Sequence, residues 1–270
     1  MSQYLARHIA DVFESIAPLS IGNQSDELGF VHGDPQLRVN GIACMWNMHS
    51  RSLQRAIDLG ANMLIVHERI WYPHQESDWY DGPKSPDQVV ANINRRKILD
   101  ENNLVIYRSH SNWDALPVDG VPDQAVAALG IEGLKVIGEQ KYFKVHEIPE
   151  SMTLEQLGAR AKAALELPWV RLFGDPLQSI SRFSFLIGGF GENQWHMPQV
   201  AGEMGAQAVI IGEMGEFEVL AAQECGMGVI ETLHSASEIP AIKRQAQMMA
   251  ERFPDLPVHY VDSGALGFTM

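Results

Sequence analysis

Two segments of this chain end in the same way, and that recurrence narrows the folds open to it. Leu104-Val105-Ile106-Tyr107-Arg108-Ser109-His110-Ser111-Asn112-Trp113-Asp114 begins as a short apolar run, rich in β-branched and aromatic residues, and reads as a buried strand. It then turns polar, with His110 and Asp114 at i and i+4. Gly228-Val229-Ile230-Glu231-Thr232-Leu233-His234-Ser235-Ala236-Ser237-Glu238 follows the same plan, ending in His234 and Glu238. Upstream of each lies a second echo: Gly60-Ala61-Asn62-Met63-Leu64-Ile65-Val66-His67-Glu68 is mirrored by Gly205-Ala206-Gln207-Ala208-Val209-Ile210-Ile211-Gly212-Glu213. Two βαβ units thus recur in the same order, one pair per half. This reads as an internal duplication with a period much longer than a solenoid repeat.

The intervening segments complete the pattern. Leu5, Ile9, Val12, Phe13 and Ile16 lie at helical spacing before Pro18, and Asn23 to Phe30 reads as a loop. Val39 to Trp46 reads as a strand, and Ser50 is placed to cap a helix that closes at Gly60. An aromatic and polar insertion, Trp71 to Pro86, lengthens the first copy, and a helix from about Asp87 to Asn102 follows it. In the second half Thr153 caps a helix through Leu165, Phe183 to Ile187 is a strand, and Glu218 to Cys225 is helical. Alternating strands and helices define an α/β fold with mainly parallel sheets. The expected halves are residues 1–133 and 134–270, the second including a C-terminal helix and strand, with the functional site in the cleft between them.

Composition bounds the function. A chain of 270 residues with 46% hydrophobic content can bury a large core. The net charge of -14 argues against sequence-independent nucleic-acid binding, which needs a basic surface. The two cysteines, Cys44 and Cys225, lie in apolar stretches without a C-x-x-C, so buried thiols are expected in place of disulfides or a thiolate metal site. The first residues, with Asp11 and Glu14 inside the apolar pattern, do not resemble a signal peptide. No run reaches the roughly 18–20 apolar residues of a membrane helix. A cytoplasmic location is the expectation.

The polar strand ends collect into one set: His67 and Glu68, His110 and Asp114, His234 and Glu238. A single histidine at a strand end is more often a hydrogen-bonded surface residue than a ligand. The repeated His-x-x-x-carboxylate is harder to set aside, because duplicating a core does not require polar residues there. Mixed nitrogen and oxygen donors suit Zn, Mn, Fe, Co or Ni. Six donors are many for one ion and reasonable for two, and carboxylates can bridge a metal pair.

Several of these stretches resemble the Nif-three-like dinuclear metal family, whose members also carry the name GTP cyclohydrolase I type 2. Ile65-Val66-His67-Glu68 is similar to its I-V-H-H-P, and Ser109 to Ala115 to its H-T-N-L-D-A. Asp119-Gly120-Val121-Pro122-Asp123 with Leu129-Gly130 is similar to its G-V-N-D…L-G, and Asp26-Glu27-Leu28-Gly29-Phe30 to its D-N-x-G-L. Ile211-Gly212-Glu213 and Leu233 to Glu238 resemble its T-G-E/D and G-H-x-x-[ST]-E segments. The matches run in order from residue 26 to 238. The resemblance implies metal ligands at His67, His110, Asp114, His234 and Glu238, a two-domain subunit with a dinuclear site in the interdomain cleft, and a toroidal homohexamer. Where the family has a second histidine this chain has Glu68. Either Glu68 is a ligand and the site is harder, tilted from Zn toward Mn, Fe or Mg, or it points away and only one position is fully built.

Two functions follow as expectations. One is a hydrolase in which a metal-bound hydroxide attacks a C–N, C–O or P–O centre, on a nucleotide-like substrate by resemblance. The other is a non-catalytic metal-binding or regulatory hexameric scaffold. Glu213, the mate of Glu68, is a candidate general base or ligand-orienting residue. Gly188-Gly189-Phe190-Gly191 can cradle a phosphate or simply form a tight turn; it lacks the G-x-G-x-x-G spacing. Trp71, Tyr72, Trp79 and Tyr80 can stack on a base or pack against another subunit, and a G-x-S-x-G elbow is absent.

Overall fold

A computed structural model describes residues 4–73, 82–190 and 196–264. Trp79, Tyr80 and Gly191 lie outside the described residues. The described chain forms two compact units, one from the residues up to Leu116 together with Ile242–Gly264, the other from Pro117–Ala241.

In the first unit α1 (Ala6–Ile16) precedes the strands β1 (Gly29–His32), β2 (Ile42–Met45), β3 (Met63–Val66) and β4 (Val105–Arg108). Helix α2 (Ser50–Asp58) links β2 to β3, and α3 (Val90–Glu101) links β3 to β4. The sheet order is β1-β4-β3-β2-β11, where β11 is Val258–Tyr260. Strands β4, β3, β2 and β11 pair in parallel, and β1 runs antiparallel along β4. β2, β3 and β4 are buried at every position, the run of apolar residues expected of strands covered on both faces.

In the second unit the same plan recurs. Helices α5 (Val121–Ala128) and α6 (Leu154–Ala164) precede β7 (Arg171–Phe173), β8 (Ser179–Phe190), β9 (Ala208–Met214) and β10 (Gly228–Glu231). Helices α7 (Met197–Glu203) and α8 (Glu216–Glu224) provide the crossovers. Here β8, β9 and β10 are parallel, and β7 is antiparallel along β10. The order β7-β10-β9-β8 therefore repeats β1-β4-β3-β2. Beyond β8 lie β6 (Phe143–Thr153) and β5 (Lys135–Gln140), both paired antiparallel.

Several expectations are corrected by these elements. The stretch read as a loop through Phe30 already contains the start of β1. β11 belongs with β2 in the first sheet, although the second half was expected to carry it; the chain changes unit at Leu116–Pro117 and again between Ala241 and Ile242, inside α9 (His234–Arg252). Helix α2 is capped by His49: its Nδ1 accepts the Ser52 N–H at 3.2 Å and its own N–H donates to Ser52 Oγ, so Ser50 is the first helical residue. Burial, with the charges of Arg51 and Arg95, lowers the His49 pKa and keeps that lone pair available. Cys44 is buried, which pushes its thiol pKa up, whereas Cys225 is exposed at the end of α8.

After β4 comes α4 (Ser111–Asp114), a single turn whose four residues are all buried. Trp113 is fully buried and stacks on Phe13 of α1 at 5.6 Å between ring centroids. Asn112 Nδ2 donates to Ala17 O at 2.9 Å, and Ser111 Oγ accepts the Asn23 N–H at 2.9 Å. One turn of helix cannot hold itself together in water; tertiary packing holds this one. Trp113→Ala is therefore expected to cost about 3–5 kcal/mol of unfolding free energy, read by denaturant titration. Leu177→Ala, at an exposed position, should stay within about 0.5 kcal/mol.

Candidate metal centre

In the first unit the polar residues that follow β3 and β4 come together. Backbone pairing continues past the strand ends: His67 N–H donates to Met45 O at 3.1 Å, Glu68 N–H to Trp46 O at 2.8 Å and Ser109 N–H to Val66 O at 2.9 Å. His67 is completely buried, and its Nδ1–H donates to the Ser109 carbonyl at 3.0 Å. A carbonyl only accepts, so in the neutral ring the lone pair is on Nε2. That atom lies 3.4 Å from Asp114 Oδ1.

His110 caps α4 and is set in the same way. Its Nδ1 lies 2.7 Å from Asp26 Oδ2, while its Nε2 lies 3.9 Å from Asp114 Oδ2 and 4.0 Å from Glu68 Oε1. The His67 and His110 rings meet edge to face at 4.9 Å, and donor atoms of His67, Glu68 and His110 lie within 4.8 Å of one another. Burial alone would lower the His110 pKa. The Asp26 hydrogen bond and the charges of Asp114 and Glu68 outweigh it, and the net shift is upward. Without a metal, this anionic cluster gathers a proton at the position where a cation would serve it as well.

Asp26 is the residue whose role the sequence left unassigned. Its Oδ1 accepts from Arg108, which is fully buried, while Oδ2, the oxygen facing His110, also accepts the Ser111 N–H at 3.2 Å. Burial would raise the Asp26 pKa, but hydrogen bonds from His110 and Arg108 hold it well below the usual carboxylate range. No local spacing announces this role, because 84 residues separate Asp26 from His110. The Asp26 motif itself was the only available signal.

The second unit carries a related arrangement. His234 opens α9, its Nδ1 2.9 Å from Glu213 Oε1 and its Nε2 3.4 Å from Glu238 Oε1 one turn on. Two glycines of β8 make room. A Cβ on Gly188 (φ +70°) would lie 2.7 Å from Glu238 Oε1 and 3.0 Å from His234 Nε2, and one on Gly189 would fall 2.6 Å from Glu213. The β8–β9 register shifts between Leu186 and Gly189, a bulge that turns the strand at this point. Ser237 Oγ accepts the Gly188 N–H at 3.0 Å and donates to His234 O at 2.7 Å. Gly188 and Gly189 thus serve the close approach of the His234 side chain and its carboxylates. Trp71 and Tyr72 lie beneath guanidinium groups of α3, with Arg96 over Trp71 at 5.2 Å and Arg95 over Tyr72 at 4.4 Å.

Each of the three imidazoles has Nδ1 tied to an oxygen and Nε2 beside a carboxylate. That is how metal-ligating histidines are oriented. Together with the space that a Cβ at Gly188 would fill, this donor set fits a divalent cation.

The fold and these clusters define a class: a two-unit α/β protein with duplicated four-strand cores and histidine–carboxylate groups after the parallel strands. The chain belongs to the Duf34/NIF3 (NGG1p interacting factor 3) family, whose profile matches residues 4–264. Among curated relatives, it is 25% identical over 246 residues to a Clostridium acetobutylicum protein named GTP cyclohydrolase 1 type 2 homolog, covering 87% of this chain and 86% of that one. A Clostridium perfringens protein of the same name is 23% identical over 264 residues, covering 94% of each. Among solved structures, a Bacillus cereus protein related to NIF3 superposes with a TM-score of 0.82 at 16% identity, covering 100% of this chain and 99% of that one. At that identity the superposition speaks for the fold.

Protons and a divalent cation compete for His110 Nε2. Because the His110 pKa lies above its ordinary 6.5, metal affinity should rise with pH through that value and beyond. Calorimetric titration at about pH 6 should give clearly weaker binding than at about pH 8; equal affinities would count against His110 as a ligand.

Proposed function

We propose that this protein binds two divalent metal ions as a dinuclear centre and acts as a metal-dependent hydrolase. Its ligands are drawn from His67, Glu68, His110, Asp114, His234 and Glu238. The reading rests on the convergence of the His67 and His110 Nε2 atoms with Asp114 and Glu68 at a place that remains partly open, the His110 side chain being 29% exposed. Structural metal sites are closed, whereas catalytic ones keep a position for water or substrate.

Bound divalent ions would supply Lewis acidity, lowering the pKa of a water and stabilising developing oxyanion charge. The chain's own residues do the positioning. Ser109 O and Asp26 fix the two imidazoles of the first unit, and Glu213 fixes His234. Glu213 is exposed and can also accept a proton from an attacking group as a general base. The carboxylates Glu68, Asp114 and Glu238 bring three negative charges against the four positive charges of two divalent ions. That balance favours Mn or Fe over Zn. The name GTP cyclohydrolase 1 type 2 homolog carried by the relatives points to a nucleotide-like substrate attacked at a C–N, C–O or P–O centre. A cytoplasmic homohexamer belongs to the same reading.

The test is metal counting on protein stripped and reloaded with Zn or Mn, followed by a screen of nucleotides and phosphoesters. His110→Ala should lower metal affinity at least about 10–100-fold, the loss typical of removing even an outer partner of a ligand, and abolish turnover. Glu68→Gln should shift preference from Mn toward Zn. Full turnover in His110→Ala would sink the hydrolase reading; ions bound without turnover of any tested compound would favour a metal-binding scaffold.

A further inference from the structure

We propose that Arg95 is a phosphate-binding residue: its guanidinium waits beneath the Tyr72 ring, which swings aside to admit the anion. The site stands without the metal reading; only its use for the phosphate of a substrate rests on that reading.

Arg95, on α3, is 2% exposed. An arginine stays protonated in proteins, so burial, which pulls its pKa down, leaves a full positive charge inside the unit. Buried charges are ordinarily paired. Arg108, equally buried, has Asp26, and the neighbouring Arg96 has Asp87 at 2.8 Å. Arg95 has neutral acceptors instead. Its Nη1 donates to Ile70 O and its Nη2 to Asn47 Oδ1 at 3.3 Å, and no carboxylate among the described residues pairs with it.

Arg51 is in the same condition, its Nη2 donating to the Gly264 carbonyl at 3.2 Å. Both guanidinium charges lower the pKa of His49, so they act on one neighbourhood. Asp262 also acts on His49, but its Oδ1 accepts the Gly264 N–H at 3.2 Å and pairs with neither arginine. Two guanidinium groups without carboxylates thus share a region of a chain whose net charge is -14. That local field suits a doubly charged phosphate better than a single carboxylate. The place is suited as well: Asn47 follows β2 and Ile70 follows β3, and ligands of open α/β sheets bind beyond the carboxyl ends of the strands.

Access depends on Tyr72. Its ring lies 4.4 Å from the Arg95 guanidinium and is 47% exposed. Its backbone is held at both ends of the residue: the N–H donates to Asn92 Oδ1 at 2.9 Å, and the carbonyl accepts from Asn92 Nδ2 at 2.8 Å. The main chain therefore stays while the ring turns about its side-chain torsions, a motion that exposed residues make within nanoseconds. A guanidinium has five N–H donors, of which Ile70 and Asn47 take two. The others have the Tyr72 side chain as neighbour and become available to phosphate oxygens when it moves. A cation–π contact at a half-exposed ring is weak, and charge-assisted guanidinium–phosphate bonds are stronger.

The experiment titrates the metal-free full chain with inorganic phosphate by calorimetry in the presence of a chelator, with acetate as the comparison. One phosphate per chain is expected, bound more tightly than acetate. Arg95→Gln should weaken it at least about ten-fold, the loss expected of a charged hydrogen-bond partner, and Arg95→Lys, which keeps the charge without the fork, should weaken it less. Labelling of Arg95 by phenylglyoxal, read by mass spectrometry, should be slow in the wild type, several-fold faster in Tyr72→Ala, and suppressed by phosphate in both. A wild type that binds no phosphate, equal affinity for acetate, or undiminished binding in Arg95→Gln would overturn the proposal. Should Arg95→Gln not fold by circular dichroism, the labelling decides: an unchanged rate in Tyr72→Ala, or no protection by phosphate, overturns it. Metal loading and turnover do not enter these readouts, so failure here and failure of the hydrolase reading are told apart.

Discussion

Parallel pairing imposes the condition on which the first cluster depends. Parallel neighbours run in one direction, so the residues following them emerge along one rim of the sheet. The register pairs Met45 with Val66 and Val66 with Arg108, and the ladder continues into the backbone of His67 and Ser109. A slip of one residue in β4 would reverse the faces of Arg108 and Ser109 and carry the His110 ring away from His67. The apolar runs Met63–Val66 and Val105–Arg108 therefore do more than fill a core: their register sets the meeting of two imidazoles. Ser109 O, the acceptor for His67 Nδ1, is itself positioned by the Ser109 N–H bond to Val66 O.

Behind that rim, charge alternates in layers. Arg108 is buried against Asp26, Asp26 against His110, and His110 faces Asp114 and Glu68. A buried guanidinium is costly unless paired, and here its partner is the carboxylate that orients the histidine. The cation behind keeps Asp26 ionised, and Asp26 in turn favours a proton or a metal on the far side of the ring. The second unit reaches a similar His–carboxylate pair with a glutamate from β9 as the orienting group, so the duplication preserved the imidazole and its i+4 carboxylate but not the support.

Much of this was legible in the sequence. The βαβ repeats, β3 and β4 with their polar ends, the Thr153 cap and the doubled His-x-x-x-carboxylate all follow from local periodicity and spacing. What was not legible depends on distant or unpatterned partners. β1 hides in a turn-rich stretch, because Gly29 and the bulge after Phe30 break any alternation. β5 is exposed along almost its whole length and β6 contains Pro149 beside a register shift, so neither shows a strand's apolar rhythm. Asp26 could not be placed behind His110 by spacing, and Gly188 and Gly189 looked like a phosphate loop or a turn because a close approach to His234 leaves no trace in local sequence.

The route of the chain has a consequence for how the molecule is made. Among the described residues the second unit is drawn from one continuous segment, Pro117–Ala241, whereas the first is completed only when Ile242–Gly264 returns and β11 pairs with β2. During synthesis from the N-terminus, the continuous segment can finish its sheet while the earlier one still waits with the outer edge of β2 bare. An open parallel edge next to fully buried strands is a template for wrong partners. The protein's most vulnerable interval is therefore the time between translation of β2 and the arrival of β11, and a chain stopped short of Val258 would keep that edge open permanently.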